Sequence, residues 1–261
     1  MPVIRQPAVA GTFYPDDSVE LETVIKNFIA NNQKTGPVPK AIIAPHAGYI
    51  YSAPVAASVY SIFQNASNDI RKIVIFGPAH RLPFDGLAIP SVEQFATPLG
   101  TIALDTMSLK TLEDNQLAIV LDKAHEYEHC LEVQLPFLQT LFDSFTLTPV
   151  LVGHCDASRV EQALELLWGD QQTLIIISSD LSHYHSYEDA KVLDQRATLA
   201  IEQLDSDTLD ANLACGSIAI NGLLKVAKKH RLKAETIDVR NSGDTAGPQE
   251  QVVGYGAYAF R

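Results

Sequence analysis

Lys40-Ala41-Ile42-Ile43-Ala44-Pro45-His46-Ala47-Gly48-Tyr49-Ile50-Tyr51-Ser52 is the stretch on which the fold turns. Its apolar run Ala41-Ile42-Ile43-Ala44 reads as a buried strand, and Pro45, with no N–H to offer a ladder, ends it. His46 is left just past the strand's carboxyl end, with Gly48 allowing a sharp turn beside it. The same pattern occurs twice more. Ile73-Val74-Ile75-Phe76 runs into Gly77-Pro78-Ala79-His80, and Leu174-Ile175-Ile176-Ile177 runs into Ser178-Ser179-Asp180-Leu181-Ser182-His183. Ligands of open α/β sheets bind outside the carboxyl ends of the strands. If the three strands are parallel neighbours, His46, His80 and His183 converge on one cleft.

Outward from this stretch, Ser52 to Phe63 reads as a helix with Pro54 in its first turn, which makes residues 41–76 a βαβ unit. Upstream, Asp17 is a good N-cap for a helix carrying Val19, Val24, Ile25, Phe28 and Ile29 at helical spacing. Residues 81–101 are interrupted by Pro83, Gly86, Pro90, Pro98 and Gly100, which suits a lid or a small antiparallel addition. Beyond them the periodicity predicts a helix over Thr106–Asn115, a strand over Leu117–Leu121 and a helix over Glu126–Phe142. On that last helix His125, His129 and Glu132 fall on the polar face, opposite Leu131, Leu135, Leu138 and Phe142. A strand over Phe145–Val152, helices over Ala157–Trp168, Tyr187–Leu204 and Ser217–Lys229, and closing strands over Ala234–Val239 and Val252–Phe260 complete the pattern. The alternation predicts one α/β domain over residues 1–261, a mostly parallel central sheet flanked by helices, with the closing strands free to run antiparallel.

Composition excludes several classes of function. A hydrophobic fraction of 46% in 261 residues supports a sizeable core. No apolar stretch approaches the roughly 18 residues of a membrane span, and the opening Met-Pro-Val-Ile-Arg-Gln-Pro has no signal-peptide core. A net charge of −12 repels nucleic-acid backbones and anionic lipid surfaces. Cys130, Cys155 and Cys215, odd in number and without paired spacing, suit a reducing cytoplasm better than a disulfide framework.

A single histidine after a strand more often caps a loop than binds anything, but three in one structural context point to one edge. Neutral imidazole is a common metal ligand, suited to iron, zinc or copper. Cys215 sits just before an apolar helical run, where the positive end of the helix dipole favours thiolate; the alternative is a small buried hydrophobe. Asp180, three residues before His183, could orient an imidazole, bind metal, or cap the next helix. His129 and Glu132 could supply a base or an outer partner, or form an ordinary solvated face. Asn241 and Asp244 could bound the cleft or make a turn, and Tyr14, Tyr49 and Tyr184 are aromatics placed to line it or to pack. No Gly-rich phosphate loop, Gly-x-Ser-x-Gly elbow, His-Glu-x-x-His or Cys-x-x-Cys occurs.

Taken together, Pro45-His46-Ala47-Gly48-Tyr49, Gly77-Pro78-Ala79-His80, the run from Glu128 to Pro136, Ser178 to His183 and Ala214-Cys215-Gly216 closely resemble the Memo family. Its microbial members are also called AmmeMemoRadiSam system protein B. The opening Pro7–Pro15 and the closing Val252-Val253-Gly254-Tyr255 fit too, so the resemblance covers essentially the whole chain. It implies a fold like the class III extradiol dioxygenases, which hold iron(II) with two histidines and a glutamate beside an acid/base histidine. By position His46 and His80 resemble the two imidazole ligands and His183 the acid/base. Cys215 stands where the dioxygenases have their glutamate, a softer and oxidisable donor that turns expectation from ring cleavage towards iron or copper redox chemistry, with zinc third. The expected function is thus a metal-binding oxidoreductase. The rivals are a non-catalytic module that binds a peptide or small ligand in the old cleft, and hydrolysis through zinc-bound water or a Cys215–His183 pair. The family's name further implies an Ammecr-type protein and a radical-SAM enzyme as partners.

Overall fold

A computed structural model of the chain describes residues 2–32, 34–65 and 70–261. In chain order the strands are β1 (Ile4–Arg5), β2 (Ala41–Ala44), β3 (Lys72–Pro78), β4 (Leu87–Ile89), β5 (Gln94–Thr97), β6 (Gly100–Ala103), β7 (Ala118–Val120), β8 (Thr146–Val152), β9 (Thr173–Ser178), β10 (His183–His185), β11 (Ala234–Asn241) and β12 (Val252–Phe260). The helices are α1 (Ser18–Asn31), α2 (Tyr49–Tyr60), α3 (Thr106–Asp114), α4 (Asp122–Glu126), α5 (Leu135–Leu141), α6 (Ala157–Leu167), α7 (Tyr187–Glu202), α8 (Ser217–Lys229) and α9 (Ser242–Thr245).

The large sheet runs β10-β12-β2-β9-β3-β8-β4-β7, with β11 on β12. Its four middle strands, β2, β9, β3 and β8, are parallel, and β9 lies between β2 and β3. The flanks bring in antiparallel pairs, β12 on β2 and β4 on β8, so the sheet is mixed. Parallel strands covered on both faces must be apolar throughout, and β2 and the run Leu174–Ile177 of β9 are fully buried. Each isoleucine there contributes roughly 1.5–3 kcal/mol by its burial. Because the three histidine-bearing strands are adjacent and parallel, their carboxyl ends open on one edge.

Residues 81–101 form no lid. They supply β4 to the large sheet and β5 to a small sheet ordered β1-β5-β6, with β5 and β6 antiparallel. The helix after β2 starts at Tyr49 rather than Ser52, which places Pro54 inside it and makes Gly48 its N-cap. The expected helix Glu126–Phe142 is broken. α4 ends at Glu126, where the expected helix begins, and the rest of the segment holds only a short 3₁₀ turn at Glu132–Gln134 and α5, with Pro136 at the start of α5. Arg5 explains the break. Its guanidinium donates to the carbonyls of His125, at 2.6 Å, and Glu128, at 2.7 Å, which a continuous helix would use internally. Among the described residues no helix is long and apolar enough to cross a membrane.

Candidate metal centre

His46 follows β2 and is buried; its ring is held from behind by Ser178 at the end of β9. The Ser178 hydroxyl has one proton, and it goes to the Cys130 carbonyl, 2.6 Å away, because a carbonyl can only accept. The hydroxyl's lone pairs then accept from Gln134 Nε2, at 2.9 Å, and from His46 Nδ1, at 3.0 Å. His46 therefore carries its proton on Nδ1. Nε2 is left as the lone-pair nitrogen, and it faces Cys215 Sγ at 3.4 Å. Burial, followed by the neighbouring imidazoles of His80 and His129, pushes the His46 pKa well down, so the ring is neutral.

His80 follows β3 and is anchored by Glu128. The carboxylate accepts the His80 backbone N–H at 2.6 Å and Nδ1–H at 3.0 Å, again freeing Nε2. It also accepts the N–H groups of His129 and Cys130, at 2.9 and 3.1 Å. Burial alone would raise this acid, but the His129 and His80 contacts hold it well below the usual carboxylate range. Metal-bound histidines commonly give their other N–H to a carboxylate in this manner. Glu128 belongs to the fold of the site although its position in the sequence did not single it out; the signal was its place in Glu128-His129-Cys130.

Cys215 sits two residues before α8. Gly216 makes its position accessible: a Cβ there would lie 2.7 Å from Ser179 Cβ, so only glycine lets this loop lie against the end of β9. Asp180 joins the two halves. Its Oδ1 accepts the His46 N–H at 2.7 Å and its backbone carbonyl accepts the Cys215 N–H at 3.3 Å. The helix-dipole argument for a thiolate is outweighed here. Burial, and next the Asp180 charge, push the Cys215 thiol up to about 12. The protein alone thus keeps a thiol donating towards His46 Nε2, and a cation is needed to draw the sulfur into its anionic form.

Ligand atoms of His46, His80 and Cys215 lie within 4.8 Å of one another. Bonds of about 2.1 Å to nitrogen and about 2.3 Å to sulfur put two ligands about 3.1 Å apart at a right angle and about 3.6 Å apart at the tetrahedral angle. The 3.4 Å between His46 Nε2 and Cys215 Sγ falls inside that interval, the spacing that a first-row ion shared by these two donors requires. His80, Glu128 and His129 also cluster, but the Glu128 oxygens and His80 Nδ1 are already engaged with each other, and that group is a hydrogen-bond network. His129 Nδ1 lies 3.1 Å from Glu128 Oε1 without hydrogen-bond alignment and is otherwise unpartnered. Its ring stacks on His80, 4.8 Å between centroids.

The site opens into a cavity of about 830 Å³ lined by His46, His80, His129, Asp180, His183 and Cys215 together with Phe13, Tyr51, Tyr184 and Tyr255. His183 arrives from β10, paired with β12, and donates Nδ1–H to the Leu181 carbonyl at 2.8 Å, leaving Nε2 as its basic nitrogen. Cys215 pairs with His46 and not with His183, so the nucleophile pair envisaged for hydrolysis is not formed.

Four expected pocket residues lie elsewhere. Glu132 is fully buried and holds the N-terminal segment: it takes Arg5 Nη1 at 2.7 Å, the Ala8 and Val9 N–H groups, and the Tyr14 hydroxyl. Tyr49 is buried, donates to the Val133 carbonyl and packs on Tyr14 and Phe137. Asn241 and Asp244 form a reciprocal cap on α9, and Asp244 also accepts the Tyr187 hydroxyl; both border a separate cavity of about 360 Å³. For that pair the local turn accounts for both side chains. Tyr51, from the same helix as Tyr49, reaches the cavity instead. Phe13 was also missed; it is carried in by the segment that Glu132 holds and packs on His129 at 4.7 Å.

A family model described as Memo-like protein matches residues 5–259. A MEMO1 family protein of Metallosphaera sedula is 34% identical over 281 residues, covering 98% of this chain and 99% of its own. MEMO1 family proteins of Aquifex aeolicus and Thermoplasma volcanium are 35% identical over 263 and 264 residues, covering 97% of each chain.

Proposed function

This chain belongs to the Memo family, and we propose that it is a metal-dependent oxidoreductase of a reducing cytoplasm, holding one ion between His46, His80 and Cys215. Iron(II) is the first choice, copper the second and zinc the third, from a donor set of two imidazoles and one thiolate. The observation that carries the reading is the meeting of three donors from separate segments, with both imidazoles locked as Nδ1–H tautomers and Nε2 left as the ligand nitrogen. An iron or copper ion bound there supplies one-electron redox chemistry and Lewis acidity.

The chain's own residues supply the rest. His183, fixed by the Leu181 carbonyl, can take or give a proton at Nε2 on a substrate in the cavity. Asp180 keeps His46 and Cys215 in register, since it bonds the backbone of both. Phe13, packed on His129, covers that side of the imidazole cluster with an apolar ring. Protein purified without oxygen should carry iron or copper by elemental analysis, and His46→Ala and Cys215→Ser should each lose most of it while remaining folded. Full metal retention in both variants would sink the assignment. The large open mouth favours one rival, a ligand-binding module without turnover; a folded, metal-free protein that still binds small molecules in the cavity would select it.

A further inference from the structure

We propose that the cavity takes a small aromatic acid, its carboxylate on Arg81 and its ring against Tyr184. The inference rests on the metal reading for what the inner end of that ligand meets, and on the mouth of the cavity for everything else.

Tyr184 is the first observation. It lines the cavity, is 71% exposed, and has a φ of +61°. A bulky side chain in left-handed backbone costs of order 1 kcal/mol, and an exposed one recovers little of it by burial. The distortion is a bulge. His183 pairs with Val253 and His185 with Val252, so β10 has one residue more than its partner. Bulges beside sites re-aim a side chain, and this one presents a tyrosine ring next to His183, 5.7 Å between centroids. Glycine would satisfy the backbone at lower cost, so the ring itself is the feature that needs a use.

Arg81, directly after His80, is the second and is independent of the first. It is the one Lys or Arg among the cavity's lining residues, and every salt bridge among the described residues leaves it out. The one acid in the lining, Asp180, is buried with Oδ1 committed to the His46 N–H. A net charge of −12 repels anions at a distance, so an anion must be selected by a close partner, within the roughly 8–10 Å over which salt leaves charges effective. A guanidinium matches a carboxylate with a two-pronged hydrogen bond. Phe13 and Tyr51 add two more rings to the wall, which suits a flat ligand, and about 830 Å³ holds a single-ring acid with room to spare.

The test uses benzoate, benzamide and acetate as probes in saturation-transfer NMR on the full chain, zinc-loaded and after chelation. Benzoate should bind with a Kd on the order of 1 mM, and benzamide and acetate at least about ten-fold more weakly. Arg81→Gln should erase the preference of benzoate over benzamide. Tyr184→Gly should weaken benzoate about five-fold or more while raising the melting temperature, since it removes the ring and relieves the backbone together. Equal binding of benzamide and benzoate, indifference to Arg81→Gln, or no transfer to benzoate at about 10 mM would each overturn the proposal. Benzoate binding that vanishes on chelation but ignores Arg81→Gln would put the carboxylate on the metal and overturn it as well. Elemental analysis of the protein as purified without oxygen, before zinc loading or chelation, keeps the two readings apart. A metal-free protein with the benzoate preference intact defeats the metal centre alone, and a metal-bearing protein without the preference defeats the aromatic-acid site alone.

Discussion

Two limbs of the chain flank the imidazole cluster, and each carries two buried carboxylates in very different circumstances. In the limb around residues 128–132, Glu128 accepts four N–H contacts, two from His80 and one each from His129 and Cys130. Glu132 also accepts four, from Arg5, Ala8, Val9 and Tyr14. In the limb around residues 180–194, Asp180 and Asp194 each accept one backbone N–H, from His46 and Ser182. Burial is similar on both sides, yet Glu128 is held well below the usual carboxylate range while burial raises Asp180 and lifts Asp194 to about 6. Donor count, more than depth, decides whether a buried acid keeps its charge. The first limb is a fixed frame for His80 and Phe13. The second carries carboxyl groups whose charge is under-compensated.

The largest expected effect breaks the frame. Glu132→Ala strands the Arg5 guanidinium and should destabilise the fold by about 3–5 kcal/mol, the cost of unpairing a buried ion. Urea denaturation measures it, and a loss below about 1 kcal/mol would remove the contrast between the limbs.

Next comes Asp194. Its pKa is raised by burial from an ordinary 3.8 to about 6, so the folded protein binds more protons than the unfolded chain across that window. Stability from this group is therefore lost as pH rises from about 4 to 6, by up to ~3 kcal/mol at 1.36 kcal/mol per pH unit. Asp194→Asn should stabilise the protein at pH about 7.5 and not at pH about 4. Equal denaturation midpoints for the variant and the parent at both pH values would show that Asp194 is compensated after all.

The smallest effect sharpens the division of labour within the frame. Glu128→Gln should lower metal affinity about 10–100-fold, because the His80 ring loses its anionic partner. Competition with a chromophoric chelator reads this directly. An unchanged affinity alongside a large loss of stability would make Glu128 a second Glu132.

Much of this protein was legible in its residues. The buried runs at Ala41–Ala44, Ile73–Phe76 and Leu174–Ile177 announce strands because they are short, rich in β-branched isoleucine and valine, and suited to a sheet covered on both faces. Pro45 stops the first strand outright and Pro78 is the last residue of the second, so the placement of His46 and His80 at the sheet edge is a local matter. The family follows from motifs spread along the chain, and the match over residues 5–259 agrees. The segment 126–142 is where local reading failed: helical periodicity put Glu132 on a solvated face. The competing partner was Arg5, some 120 residues away in sequence, which takes two of the carbonyls a helix would have used.

Sequence alone, then, determined the central buried strands and the imidazoles that follow β2 and β3, because strand formation, chain reversal and apolar burial depend on near neighbours and side-chain type. Tertiary structure alone decided that Glu128 and not Glu132 serves His80, that Ser178 sets the His46 tautomer, and that Cys215 meets His46 and not His183. Those are questions of which donor reaches which acceptor across β2, β9 and the loop before α8. A hydrogen bond is settled by tenths of an ångström between segments that only the finished packing brings together.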